Sequence, residues 1–513
     1  MASLEPTATA GAHAQDWQGV SRRRTPRAVA RASARLALEA PLVLIVTCML
    51  VLWSTQGAHQ LAADTWLNLL GGREILAHGL PYHDTLAIIS RGYDWIDQQW
   101  LANLAYYGLY TLGGKALVAT ANVVVFTSGC ALAFLFARRS GAPALHVAMF
   151  GVPAAFIAPQ FARAEVLVQP LFVILIALLA TESRKKTRRI VFAFPILALW
   201  ANLHGSVVMA ALLVAAVGAI EGGRLIKARD ASKTAAARAL LLLIAPWPFV
   251  FASPYGLHLL TYYRATLHNS EFAKFLTEWA PPKFGSPWGL TFFVVAGVAI
   301  FLIGRHRGVL TSFEVTALAV TAYGALVAAR SIVWFTYAAA VILPRFFRDA
   351  KTRERSGSEQ RLLAATTALA IALAALAVTV SVARPSSALA TTRGQRALDG
   401  LAHVLRADRH ARVFASYDTA DWLLFNLPAV RGRIAYDGRW EILPQREMQI
   451  LVRYLWQTTP EWEQPSQGYR LIVLNPEGQP LIVRTYRARR SMRLLYEDEH
   501  VIVFDRGAQS DSR

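Results

Sequence analysis

Asp64 stands a few residues past the first long apolar run, at the level where lipid phosphates lie. A carboxylate there can ligate a divalent cation such as Mg or Mn, or take the proton from an attacking hydroxyl. Asp64 also opens a stretch of helical spacing that reaches Leu76, and a helix N-cap is the commoner use of such an aspartate. Beyond it the same segment carries His83, Asp84, Asp94 and Asp97 between Trp66, Trp95 and Trp100. Trp95 and Trp100, with Tyr106, Tyr107 and Tyr110, suit the aromatic belt at a membrane surface.

Groups of the same kind recur where other apolar runs end. Arg163 and Glu165 share a short connection; the arginine can clamp a phosphate through two parallel N–H bonds or pair with its neighbour. Asn202 and His204 sit at a polar break between two apolar runs, and polar groups at membrane depth are costly unless they face a cavity or one another. His204 serves there either as a hydrogen-bonded structural residue or as a catalytic or metal group. Tyr255 lies in Ser253-Pro254-Tyr255-Gly256, a turn that needs no role beyond stopping a helix. Glu278 precedes Trp279, and Arg330 has so little loop around it that a partner is expected. Tyr436-Asp437-Gly438-Arg439, further on, is first of all a turn. No GxxxxGK[ST], GxGxxG after a strand, HExxH or GxSxG occurs, so ATP-driven transport, dinucleotide chemistry and serine hydrolysis lack support.

The elements that must position these groups are membrane helices. Of the 513 residues, 55% are hydrophobic and only 17% charged, and mean hydropathy is +0.34. Soluble domains carry about 25% charged residues. A span needs about 20 mostly apolar residues, and roughly eleven stretches approach that length. They lie near 38–57, 115–137, 142–160, 167–182, 190–203, 205–222, 239–254, 286–304, 309–329, 331–347 and 362–383. The pair meeting at Asn202 to Gly205 reads equally as one kinked helix. Cys48 and Cys130 are the sole cysteines, too few for a disulfide framework or a cysteine metal site.

The net charge of +20 comes from short clusters between apolar runs, without the aromatic interleaving of a nucleic-acid groove. It is the positive-inside pattern. On one side of the membrane stand about 26 basic residues, against about 8 in the opposite loops and about 19 in the C-terminal region. Residues 1–37 then form a basic cytoplasmic tail. The segments 58–114 and 255–285 are long outer loops, and 384–513 is an extracytoplasmic unit long enough to fold independently. Its pattern reads as a small α/β domain: an apolar run at 413–416, helix near 419–425, strand near 433–436, strand at 471–474, and a terminal hairpin at 494–496 and 501–504.

The order of these pieces resembles the GT-C superfamily of polytopic glycosyltransferases, and more narrowly a bacterial branch of it. Asp64-Thr-Trp carries the likeness, with Gly72-Arg-Glu-Ile-Leu-Ala-His-Gly-Leu-Pro-Tyr-His-Asp84 and Trp95-Ile-Asp-Gln-Gln-Trp100-Leu. Leu199-Trp-Ala-Asn-Leu-His-Gly205, Ser253-Pro-Tyr-Gly256, Glu278-Trp279 and Tyr436-Asp-Gly-Arg439 extend it across most of the chain. The resemblance implies an α-helical polytopic membrane protein with a GT-C-like domain over 38–383 and a periplasmic α/β domain over 384–513. It implies a lipid-linked sugar donor on polyprenyl phosphate, used at the outer face of a bacterial inner membrane among membrane lipids. Asp64 would be the first-loop acid that activates the acceptor or orients a divalent cation, Asp84, Asp97 or Glu278 a second acid, and Arg163 or Arg330 the donor-phosphate ligand. His83, Asn202, His204 and Tyr255 would share the cavity. Many members have two adjacent acids in the first loop, whereas Thr65 follows Asp64, so a metal site would need Asp84, Asp94, Asp97 or Glu278 from elsewhere. A non-catalytic transporter or assembly factor for lipid-linked glycans is the second reading. Transporters pair their broken helices, and one break is evident, at Asn202 to Gly205.

Overall fold

The computed structural model describes residues 26–55, 61, 64–157, 161–229, 232–267, 271, 274, 276–348, 357–383 and 394–507. The expected cytoplasmic tail lies outside them up to residue 25, as does the boundary expected at 384. Helices stand at each of the eleven apolar stretches. In chain order they are α1 (Pro26–Thr55), α2 (Asp64–His78), α3 (Trp100–Arg139), α4 (Ala144–Ile157), α5 (Ala164–Glu182) and α6 (Ala193–Leu203). Then follow α7 (Val207–Ala228), α8 (Lys233–Ile244), α9 (Pro246–Val250), α10 (Leu259–Leu267), α11 (Pro287–Arg305), α12 (Ser312–Val327), α13 (Ile332–Ile342) and α14 (Gly357–Ala383). Of the described helical segments, six are long and apolar enough to cross a membrane: 100–139, 164–182, 207–228, 233–250, 287–305 and 358–383.

Burial sorts these helices into inside and outside. α13 is buried at every position from Ile332 to Ile342, and α5 along most of its length, so both lie at the centre of the bundle. Around them Leu145, Ile300, Phe301 and Leu369 are exposed, apolar side chains turned outward as lipid-facing positions would be. Two glycines bring α2 against α3. A Cβ on Gly72 would lie 2.3 Å from the backbone oxygen of Asn103, so only glycine permits this crossing. α3 itself reaches back to Trp100, earlier than the span expected at 115, and breaks at Gly113 and Gly114, whose backbone is not helical. The aromatic segment before the break is thus helix rather than loop.

Beyond α14 come α15 (Gln395–Ala407), β1 (Val413–Ala415), α16 (Tyr417–Asn426), α17 (Gln445–Trp456), β2 (Leu471–Leu474), α18 (Pro480–Arg487), β3 (Arg493–Glu497) and β4 (Ile502–Asp505). The sheet order is β1-β2-β4-β3, with β1 parallel to β2 and the other neighbours antiparallel. The strand expected near 433–436 is instead a pair of bridges: Ile434 meets Val413 of β1 and Ala87 of the first outer loop. Ile88 and Ile89 donate backbone bonds to Ile434 and Ala435 (2.8 and 2.9 Å). The segment between α2 and α3 therefore borders the tail's sheet, and one apolar cluster joins Trp66, Leu69 and Leu86 to Leu401, Leu423 and Val473. The tail shares this cluster with α2 and keeps a second one of its own, around Phe414, Tyr454, Ile472 and Phe504.

Candidate active site

Where the helices meet the tail lies a cavity of about 1050 Å³ including its open mouth. Six of the sequence candidates line it: Asp64, Asp97, Arg163, His204, Glu278 and Arg330. Each arrives on a different piece of backbone. Asp64 begins α2, and Thr65 ties that helix start to the carbonyl of Ala162 (2.7 Å). Arg163 is the extended residue that caps α5, Glu165 lies in that helix's first turn, and Tyr106 bonds the Arg163 carbonyl (3.0 Å). Glu278 sits on a short turn, 277–279, and Arg330 on another, 329–331, joined by Ala329 N–H to the carbonyl of Ala280 (2.9 Å).

These charges form one network. The Arg163 guanidinium meets Glu278 at 3.0 Å, Asp64 at 3.2 Å and Glu165 at 3.7 Å. Arg330 reaches Glu165 and Glu278, each at 3.4 Å, while its guanidinium lies 4.6 Å from the centre of the Trp279 ring. Arg163 and Glu165 are buried, whereas the Asp64 and Glu278 side chains are 44% and 38% exposed. Burial would raise the Glu278 carboxyl, but the two guanidinia outweigh it and hold it down at about 2. Glu278 is thus ionised at neutral pH and cannot donate a proton. His204 is pushed well below the usual histidine range by burial and by the charges of Arg330 and Arg163. Its Nδ1 accepts from the Ser206 N–H (3.2 Å) and faces Ser206 Oγ (2.8 Å), so the neutral ring carries its proton on Nε2.

The point on which Asp64, Glu165 and Glu278 converge is filled by the Arg163 guanidinium. A divalent cation needs those oxygens free to ligate it. Among the described residues no group of three His, Cys, Asp or Glu is placed to hold a metal ion. The donor set does not fit a cation at Asp64.

The other wall comes partly from the tail, through Tyr417, Asp421, Arg439, Trp440 and Glu441. Burial pushes Asp97 up to about 6 against the Asn103 amide bond (2.8 Å), and pushes Glu441 up to about 7. Asp421 is raised by burial and by nearby Asp437. Asp421 and Glu441 were not candidates from sequence. Nor were Asn68, Gln98 and Asn103, which also line the cavity; the available signal was Asn68 one helical turn after Asp64 on an apolar stretch.

Four other candidates lie elsewhere. Asp84 is buried away from the cavity, bonded by Ser90 Oγ (2.6 Å), the N–H groups of Leu86 and Ala87, and Arg439 (2.7 Å). Burial opposes its charge, yet Arg439 keeps it below the usual carboxylate range. Arg439 is shared with Asp437 and stacks 4.1 Å from the Trp95 ring centre, so the Asp-Gly-Arg turn locks the tail to the outer loop. His83 is 66% exposed and pairs on the surface with Asp94. Asn202 is spent on Trp100 Nε1 (2.8 Å) and the carbonyls of Ala198 and Ala252. Tyr255 donates to the carbonyl of Pro81 (2.9 Å).

A second cavity adjoins the first across the two arginines. Arg163, Glu165, Glu278 and Arg330 line both. Its other walls are apolar at Ile157, Trp288, Ile332 and Val333, and cationic at Lys274 and Lys283.

No family model and no curated protein matches the sequence. Solved structures do. The oligosaccharyltransferase of Archaeoglobus fulgidus in its apo form is similar over 93% of this chain and 75% of that one, at 11% identity and a TM-score of 0.50. ArnT from Cupriavidus metallidurans bound to undecaprenyl phosphate is similar over 91% and 98% of the two chains, at 14% identity and a TM-score of 0.36, too low to weigh. The apo form of that ArnT stands alike, at 13% identity and 0.37. The first likeness bears on architecture alone: the chain shares the fold of that oligosaccharyltransferase, and with six described helices long and apolar enough to cross a membrane it is a multi-pass membrane protein.

Proposed function

We propose that this chain is a membrane glycosyltransferase that moves a sugar from a polyprenyl-phosphate donor to a glycan, lipid or protein acceptor at the outer face of the inner membrane. One observation carries the reading: two guanidinia and the carboxylate of Asp64 meet where a polar cavity and an apolar-walled one adjoin. The lipid chain lies in the second cavity and the phosphate reaches Arg163 and Arg330, whose planar guanidinia can each bond two of its oxygens. Glu278 holds that guanidinium face in the resting protein, at 3.0 and 3.3 Å, and gives way to the phosphate.

The acceptor hydroxyl, beside Asp64, gives its proton to that carboxylate as its oxygen attacks the anomeric carbon. The bond from that carbon to the phosphate oxygen breaks, and polyprenyl phosphate leaves as the ion the arginines hold. A phosphate leaves without a general acid, in keeping with an ionised Glu278. No step passes through a metal. The topology we infer has eleven crossings, a cytoplasmic N-terminus and a periplasmic tail over 384–513; the helices at all eleven stretches and the basic clusters between them support it.

Deleting the gene and analysing lipid-linked intermediates and surface glycans by mass spectrometry tests the reading. It expects one polyprenyl-phosphate sugar to accumulate beside an undersized glycan. Unchanged lipids and glycans would overturn it, and an accumulated intact lipid-linked glycan would favour the transporter or assembly factor.

A further inference from the structure

Four residues that line the first cavity each carry a buried side-chain atom that, among the described residues, meets no hydrogen-bond partner: Asn68 Nδ2, Gln98 Oε1, Asn103 Oδ1 and Arg439 Nη1. Buried groups of this kind cost stability unless something pairs with them. None of the four residues is slack. Asn68 Oδ1 accepts from Gln99 (3.1 Å), the Gln98 amide donates to Gln99 (3.4 Å), and Asn103 donates to Asp97 (2.8 Å). Arg439 is gripped by Asp84 and Asp437. Each thus spends one end on holding its position and keeps another unspent. Two of the unspent atoms are donors and two are acceptors, the pairing that adjacent hydroxyl groups satisfy, since each hydroxyl both donates and accepts. Trp95 supplies an apolar ring beside them.

Placement adds the scale. Asn68 follows Asp64 by one turn of α2, so the two side chains lie roughly 6 Å apart on one helix face. That is the width of a sugar ring whose anomeric end is at Asp64.

We propose that Asn68, Gln98, Asn103 and Arg439 form a subsite for the vicinal hydroxyls of a neutral sugar. The inference rests on the glycosyltransferase reading and specifies its substrate: a ring recognised by uncharged hydroxyls rather than by an amino or carboxyl group. The ring is either the donor's or the acceptor's, since both meet at Asp64. A site built to bond hydroxyls strongly rejects analogues that lack them.

The test uses the full chain in nanodiscs, titrated with undecaprenyl phosphate and with synthetic undecaprenyl-phosphate glucose, mannose and arabinose. Methyl glycosides of the same sugars are titrated separately. At least one sugar-bearing lipid should bind about tenfold more tightly than the bare lipid, and Asn68→Leu and Gln98→Met should erase that margin while leaving bare-lipid affinity within about twofold. A margin untouched on the lipids, with methyl-glycoside binding lost in both variants, assigns the subsite to the acceptor instead. If bare lipid binds and no sugar from either source adds affinity, or if both variants weaken bare lipid as much as loaded lipid, the subsite is overturned and the functional reading stands. If no lipid binds, the functional reading falls and the subsite with it.

Discussion

Arg163 holds three carboxylates on one guanidinium, and the contacts are unequal in what they permit. Glu165 is buried and fixed to a helix; Asp64 and Glu278 are open enough to meet a substrate. Replacing Asp64 with Asn keeps the shape and removes the base, so transfer should fall roughly 10²- to 10⁴-fold with expression and donor binding retained, measured by product mass spectrometry. Glu278→Gln acts in the opposite sense on binding. With the resting carboxylate neutralised, bare undecaprenyl phosphate should bind on the order of tenfold more tightly, about the worth of one charge-assisted bond, by titration in nanodiscs. Weaker binding would show that Glu278 supports the arginines rather than holding their place. Six cavity residues were legible in the sequence because an ionisable group at the end of an apolar run has few other reasons to be there. Asp84 lies away from the cavity because it pairs with Arg439, 355 positions along the chain, and no local pattern reveals such a pair. Asn68, Gln98 and Asn103 were missed because a single amide on an apolar stretch reads as noise until its neighbours are known.

At the scale of elements, the crossing of α2 over α3 decides where Asp64 points. Gly72→Ala would press a methyl group into the Asn103 carbonyl and the Tyr107 side chain, at 2.3 and 2.5 Å from an ideal Cβ. Backbone must shift, so a loss of about 1–3 kcal/mol is expected, with transfer falling further as Asp64 leaves Arg163; thermal unfolding and activity together read this out. The apolar stretches were all legible as helices from composition, because a continuous apolar run of about 20 residues crosses a bilayer as helix, whereas a barrel strand alternates apolar and polar residues. The ends were not. α3 starts fifteen residues before its apolar run, at Trp100 rather than 115, since aromatic interfacial residues carry no periodicity that separates a helix from a loop. Likewise 433–436 has strand composition but only bridges β1 and Ala87, pairing that depends on where the first outer loop lies.

At the scale of the molecule, the tail and the outer loop form one body, joined by a common apolar cluster and by Arg439 between Asp84 and Asp437. Asp84→Leu leaves Arg439 to Asp437 alone and takes the acceptor from Ser90 and the Leu86 and Ala87 N–H groups, so it should cost about 1–3 kcal/mol, and hydrogen exchange should rise around 432–441. pH should act through the same seam. Asp97 at about 6 and Glu441 at about 7 lie above their unfolded values of 3.8 and 4.5, so each adds stability that is complete below those values and is lost as pH rises through 6 to 7. Glu278, held at about 2, contributes stability already complete above 4.5 and does not change over that window. The thermal midpoint in detergent should therefore drop between pH 5 and pH 8, and Glu441→Gln should shrink the drop. That the tail is α/β was legible in its alternating runs. Its union with the outer loop was not, because shared burial between segments more than 300 residues apart leaves no mark on either.

The most direct measurement returns Asp64→Asn to a deletion strain and compares its lipid-linked sugars and surface glycans with those restored by the natural chain. A carboxylate that takes the acceptor's proton predicts normal protein levels, an accumulated polyprenyl-phosphate sugar and an undersized glycan. Full-length glycan made at the natural rate by the variant would contradict it.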